Sequence, residues 1–256
     1  MTTTILDNNL SWKRTGMIFA YYMPLVRKQI IWYLIVSTLA GILIPLLYGT
    51  DFGNVYYTLS WSALQFMFNF APLVFAKSDS QAVETMIPAR AGEKLAFYLL
   101  YTFVLIPAVT FGIPLLSSYI YILTGGTYPD VVEKAMGMTD SLNNYALLGT
   151  LQHLVPTVTC LYFVLRYRHN RILKGVIATF VAFFALSFIG GIWGAYMAFS
   201  KGFADGAGMR PANPDAIVSS VMSQMPTLLI IIASVSLVYF IIMDWLTYRL
   251  LKNRQI

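Results

Sequence analysis

What the chain has least of is charge. Charged residues make up 11% of its 256 positions and hydrophobic ones 58%, where a soluble domain carries about 25% charged residues. With a mean hydropathy of +0.67, this excludes an ordinary soluble domain and points to one membrane domain. There is a single cysteine, Cys160, so no intramolecular disulfide and no thiolate metal cluster can form. The role expected for Cys160 is that of a small buried hydrophobe. The two histidines, His153 and His169, lie roughly 24 Å apart along one helix, too far to share a metal ion unless that helix breaks. The sequence also lacks a G-x-x-x-x-G-K-S/T phosphate loop, an H-E-x-x-H zinc pair and a G-x-S-x-G elbow, so ATP hydrolysis is expected of a partner and not of this chain. No secretory leader is expected, because nearly thirty mixed residues precede the first apolar run without a small-residue cleavage site.

Six long apolar runs are present, over 28–48, 55–76, 95–123, 145–165, 172–199 and 226–248. Each can cross about 30 Å of hydrocarbon as a helix, and none has a charge near its middle. The expected fold is all-α: a polytopic membrane protein with six transmembrane helices, a cytoplasmic or interfacial segment over 1–27, a membrane domain over 28–248 and a short tail over 249–256. Basic residues fix the orientation. Lys13, Arg14, Arg27 and Lys28 precede or open the first run, Lys77, Arg90 and Lys94 follow the second, Arg166, Arg168, Arg171 and Lys174 lie between the end of the fourth and the first turn of the fifth, and Arg249, Lys252 and Arg254 follow the sixth. These are 14 of the 17 Lys and Arg; only Lys134, Lys201 and Arg210 fall in the alternate loops. Both termini are therefore expected in the cytoplasm. The net charge of +6 does not indicate nucleic acid, since inward loops and anionic lipid headgroups account for it.

Residues 10–26 mix aromatic and apolar side chains with Lys13 and Arg14, the composition of a helix lying in the headgroup plane, and Pro24 is expected to end that pattern. Pro45, Pro72, Pro107, Pro114 and Pro156 lie inside the runs, so kinks are expected there, each freeing a carbonyl that a neighbour must satisfy. Gly190, Gly194 and Ala198, beside Ser187, Gly191 and Ala195, form a face suited to close helix packing. Between the fifth and sixth runs, Asn213 or Asp215 is positioned to cap a short helix over 216–224.

The second run carries a polar line, Thr58, Ser62, Gln65 and Asn69, on one helical face. It either lines a translocation route or subunit interface, or supplies interhelical hydrogen bonds. Gln152 and His153, just before Pro156, are candidate partners for it; a lone buried histidine here is read as structural before it is read as a proton relay, since no acid lies mid-membrane to pass a proton on. Asp244 is the one carboxylate within a run. About one turn from its inner end, near Arg249 and Lys252, it is read as a snorkelling, ion-paired marker, which argues against ion-coupled transport.

The densest polar segment is 77–94. Asp79 or Ser80 can cap a helix over 81–86 that Pro88 ends, and Glu93 and Lys94 open the third run. Such an element can dock onto a cytoplasmic partner, or be an ordinary charged loop. The stretch Glu84-Thr-Met-Ile-Pro88-Ala-Arg90-Ala-Gly-Glu93-Lys94 resembles the E-x-L-x-x-P-x-S/A-R-x-E-x-x segment of type-2 ABC transporter permeases. Six spans and cytoplasmic termini are similar to that family as well. The resemblance implies a coupling helix that meets an ATP-binding subunit supplied in trans, with Glu84, Pro88, Arg90, Glu93 and Lys94 at or beside the contact. It also implies a homo- or heterodimer in the bacterial inner membrane, an export-type transporter, and no cofactor or metal in this chain. The chain departs from well-characterised exporters in having no large outer domain, which leaves the substrate open. Two alternatives stand beside it: a non-transporting structural or regulatory membrane subunit, and an intramembrane enzyme using His153 or the polar line.

Overall fold

In the computed structural model, residues 12–47, 53–76, 89–124, 153–167, 169–206 and 214–254 are described, and among them there is helix and turn but no strand. Helix α1 spans Trp12–Leu47. Helix α2 covers Gly53–Asn69 and is prolonged by a 3₁₀ turn over Ala71–Ala76. The next rod, α3, begins as Ala91–Leu100, passes through π turns at Tyr101–Leu105 and Ala108–Gly112, and ends as Ile113–Leu123. Helices α4, α5 and α6 are Leu154–Arg166, Arg171–Gly206 and Pro214–Asn253.

The chain is an all-α polytopic membrane protein. Five helical stretches are long and apolar enough to cross a bilayer: Lys13–Leu43, Leu59–Ala76, Ala91–Ser117, Arg171–Ile189 and Ile230–Asn253. A helix satisfies its backbone internally, which hydrocarbon requires, and large apolar side chains such as Leu46, Val181, Phe184, Phe188 and Ile241 point outward. Helix α4 is the shorter sixth; the start of its expected span, 145–152, lies outside the described residues. Its described part is central, with Val155 to Leu165 buried except for Phe163, between α5 and α6 on one side and α2 with the 3₁₀ turn on the other.

Helices α1 and α3 run parallel in near-constant register. Contacts join Arg14 to Glu93, Tyr22 to Tyr98 and Gln29 to Tyr101, and a Cβ on Gly41 would sit 2.8 Å from Ser117 Oγ and 3.1 Å from Pro114 Cα. Only glycine allows that approach. On the other side of the bundle Gly175 does the same for α5 against α4, where a Cβ would come to 2.8 Å from Val164 Cγ2. The main apolar core gathers Ile18, Tyr22, Phe75, Phe97, Tyr98, Leu165 and Leu251, all near the basic helix ends. Arg254 Nη2 donates to the Arg166 carbonyl at 3.1 Å. The basic ends of α1, α3, α4 and α6 thus meet at one end of the bundle.

Several expectations are revised. Pro24 does not end the N-terminal helix, which continues into the first span; Ala20 and Pro24 are both exposed, so water or headgroups can take the carbonyl left without its donor. The helix expected over 216–224 is the first part of α6, which starts with Pro214, a favoured first helical residue because its missing N–H would be unbonded there anyway. Pro156 lies in the first turn of α4, where its missing donor breaks no bond. On the small-residue face of α5, Ser187, Gly191 and Ala195 are exposed and nothing lies within 4 Å of a Cβ on Gly191, while the surroundings of Gly190, Gly194 and Ala198 lie outside the described set.

Candidate coupling junction and polar helix seam

The loop between α2 and α3 rejoins the bundle at a clamped point. Arg90 is extended, with φ −69° and ψ 155°, and starts α3; its N–H donates to Glu93 Oε2 at 3.1 Å. An arginine side chain has no acceptor, so the capping contact seen among the described residues comes from Glu93, its charge also suiting the positive end of the helix. Arg14 Nε donates to the other oxygen, Oε1, at 2.7 Å. Glu93 is 1% exposed and Arg14 31%, so the carboxylate is enclosed and its cation reaches water. Ala89, Ala91 and Lys94 are buried, Arg90 half-buried. Among the five residues assigned to the coupling contact, Glu84 and Pro88 lie outside the described residues. Glu93 and Lys94 are buried at the foot of α3, and Glu93 holds the end of the loop through the Arg90 N–H.

The polar line on α2 is divided. The side chain of Thr58 lies outside the described set, Ser62 and Gln65 are half-buried, and Asn69 is buried. Asn69 Oδ1 lies 3.2 Å from Thr157 Oγ1, which also donates to the His153 carbonyl at 2.8 Å. A threonine hydroxyl has one proton, so both contacts hold together when the amide is turned to donate from Nδ2. His153, half-buried at the start of α4, joins the seam through its backbone, and its ring makes no cap. On the opposite face of α4, the hydroxyls of Thr159 and Tyr239 meet at 2.9 Å, tying α4 to α6.

A second buried polar cluster escaped the sequence reading. Pro72 cannot donate, so α2 stops at Asn69 and its last carbonyls need partners. Tyr33 on α1 donates to the Met67 carbonyl at 2.7 Å, and Gln29 Nε2 donates to the Ala71 carbonyl at 3.0 Å and to Tyr33 Oη at 2.9 Å. Tyr101 then donates to Gln29 Oε1 at 2.8 Å. Both Gln29 donors and its acceptor are used. The signal was there in Gln29 and Tyr33, one turn apart in an otherwise apolar run, with a proline to serve.

Asp244 departs from the reading as an ion-paired marker. Its Oδ1 is buried without a hydrogen-bond partner among the described residues, while Arg249 stands over the Trp245 ring at 5.6 Å. Cys160 is buried and free. Among the described residues no three of His, Cys, Asp and Glu come together, so no donor set for a metal is in view. Comparison of the chain with protein-family models, curated proteins and solved structures finds no match.

Proposed function

We propose that this chain is the permease subunit of an export-type ATP-driven transporter in the bacterial inner membrane, working as a homo- or heterodimer with a separate ATP-binding subunit. The observation that carries this is the clamp at the foot of α3. A push on the 77–88 loop enters the bundle through Arg90 and Glu93, and Glu93 is bonded to both the α3 N-terminus and α1. Because α1 and α3 touch along their whole register, they move as one body. The two π turns and Pro107 in α3 supply the place where such a body bends, as π turns and prolines inside helices commonly do. The motion is of the hinge kind, one pair of helices rocking against the α4, α5 and α6 group.

The test is affinity purification of the full chain from its native membrane in mild detergent. A Walker-type ATPase is expected to come with it, and its stimulation by the chain to fall when Arg14 is replaced by Ala while membrane insertion persists. Recovery of the chain without any nucleotide-binding protein overturns the proposal. One observation favours the reading as a non-transporting subunit: Asn69, the innermost member of the polar line, is engaged by Thr157 and acts as interhelical glue. ATP-dependent flux in proteoliposomes separates the two, since a structural subunit forms the complex and moves nothing.

A further inference from the structure

The turn joining α4 to α5 brings two cations to one aromatic ring. Tyr167 leaves α4 extended, with φ −92° and ψ 144°, and Asn170 takes φ 53°, a left-handed conformation that asparagine tolerates, before α5 begins. The reversal sets Lys174 Nζ 3.9 Å from the centre of the Tyr167 ring. Arg166 Cζ lies 5.9 Å from that same ring and 5.6 Å from that of Tyr162, and Arg166 Nη1 donates to Tyr162 Oη at 2.8 Å. The two cations are therefore within about 10 Å of each other, about one screening length at 0.1 M salt. Neither is matched by a carboxylate among the described residues, where the ion pair seen is Arg14 with Glu93. Ring faces hold the cations by their charge and leave N–H donors over for another acceptor. Arg254, donating to the Arg166 carbonyl at 3.1 Å, brings a third cation to the same mouth.

Position selects the occupant. Arg166 is in the last turn of α4 and Lys174 in the first turns of α5, where both helices leave the membrane at the basic end. Directly along α5, Ile172, Leu173 and Ile177 are more than half exposed, and Ile177 shares the helical face of Lys174. We propose that this mouth is a binding site for an anionic phospholipid of the inner leaflet, its headgroup phosphate between Arg166 and Lys174 and its acyl chain along the exposed apolar side chains of α5. Basic side chains near the inner surface favour anionic lipid by about 1 kcal/mol each, or about fivefold in affinity.

The full chain is placed in nanodiscs of mixed phosphatidylglycerol and phosphatidylcholine, and the lipid it retains is counted by native mass spectrometry. Wild type is expected to enrich phosphatidylglycerol, Lys174→Gln to lower that enrichment about fivefold, and Arg166→Gln with Lys174→Gln to lower it about 25-fold. Lys174→Arg is expected to keep it, as is Arg27→Gln with Lys28→Gln, which removes as much charge from the exposed face of α1. The proposal is overturned if Lys174→Gln leaves the enrichment unchanged, or if the α1 variant lowers it as much, since the effect would then be general surface charge. Displacement of the lipid by millimolar inorganic phosphate also overturns it, because the site would then take free phosphate.

Discussion

Glu93 shows how unequal the two ends of one ion pair can be. Its carboxylate is enclosed and accepts from both Arg14 Nε and the Arg90 N–H, whereas Arg14 is 31% exposed and can turn to water. Removing the cation strands a buried charge, a mechanism that costs about 3–5 kcal/mol when the pair is fully enclosed; removing the anion does not. Arg14→Ala is therefore expected to lower the thermal midpoint in detergent clearly more than Glu93→Gln, whose amide oxygen still accepts a hydrogen bond. Equal losses would show that Glu93 is solvated. Cys160 gives a second residue-scale expectation. Enclosed by α5 at Gly175 and 0% exposed, it should resist maleimide in the folded protein and react fully in detergent denaturant.

At the scale of elements, two polar features of the membrane interior have opposite standing. Four polar residues at helical spacing on α2 were plain in the sequence, yet Ser62 and Gln65 are only half-buried. The Gln29 cluster was legible only in part: Gln29 and Tyr33 stand one turn apart at the start of an apolar run, but their partners are carbonyls left open only once Pro72 has ended α2. The proline announced that a donor was needed and left unsaid which helix would supply it. Gln29→Leu strands the Ala71 carbonyl and the Tyr101 hydroxyl, each at about 1–3 kcal/mol, and should lower the thermal midpoint by more than Gln65→Leu. The reverse order would mean that the α2 line, not the α1 cluster, carries the packing. Helix joins were illegible for a related reason. Pro24 and Pro214 are locally ambiguous between breaking and starting a helix, and only the surroundings decide: exposure at Pro24, the first-turn position at Pro214.

For the molecule as a whole, hydrophobic length and the placement of Lys and Arg made the membrane class and the helix order legible without any contact being known, since hydrocarbon permits few backbone solutions. What they left out was where the chain is tightly built. The main core lies at the basic end, joining α1, α3, α4 and α6 with the 3₁₀ turn, whereas α5 beyond Gly175 and Thr179 turns mostly exposed side chains outward. That distribution gives the orientation a sharp test. Because Cys160 is shielded, single cysteines placed elsewhere report alone: Ser78→Cys in the second loop should be labelled by a membrane-impermeant maleimide only after the cell is opened, and Asp130→Cys in the third loop in intact cells. The opposite pattern would put the Arg14–Glu93 clamp and the Arg166–Lys174 mouth on the outer face. It would then remove at one stroke the contact with an ATPase and the supply of inner-leaflet lipid, because both depend on which side of the bilayer the basic helix ends occupy.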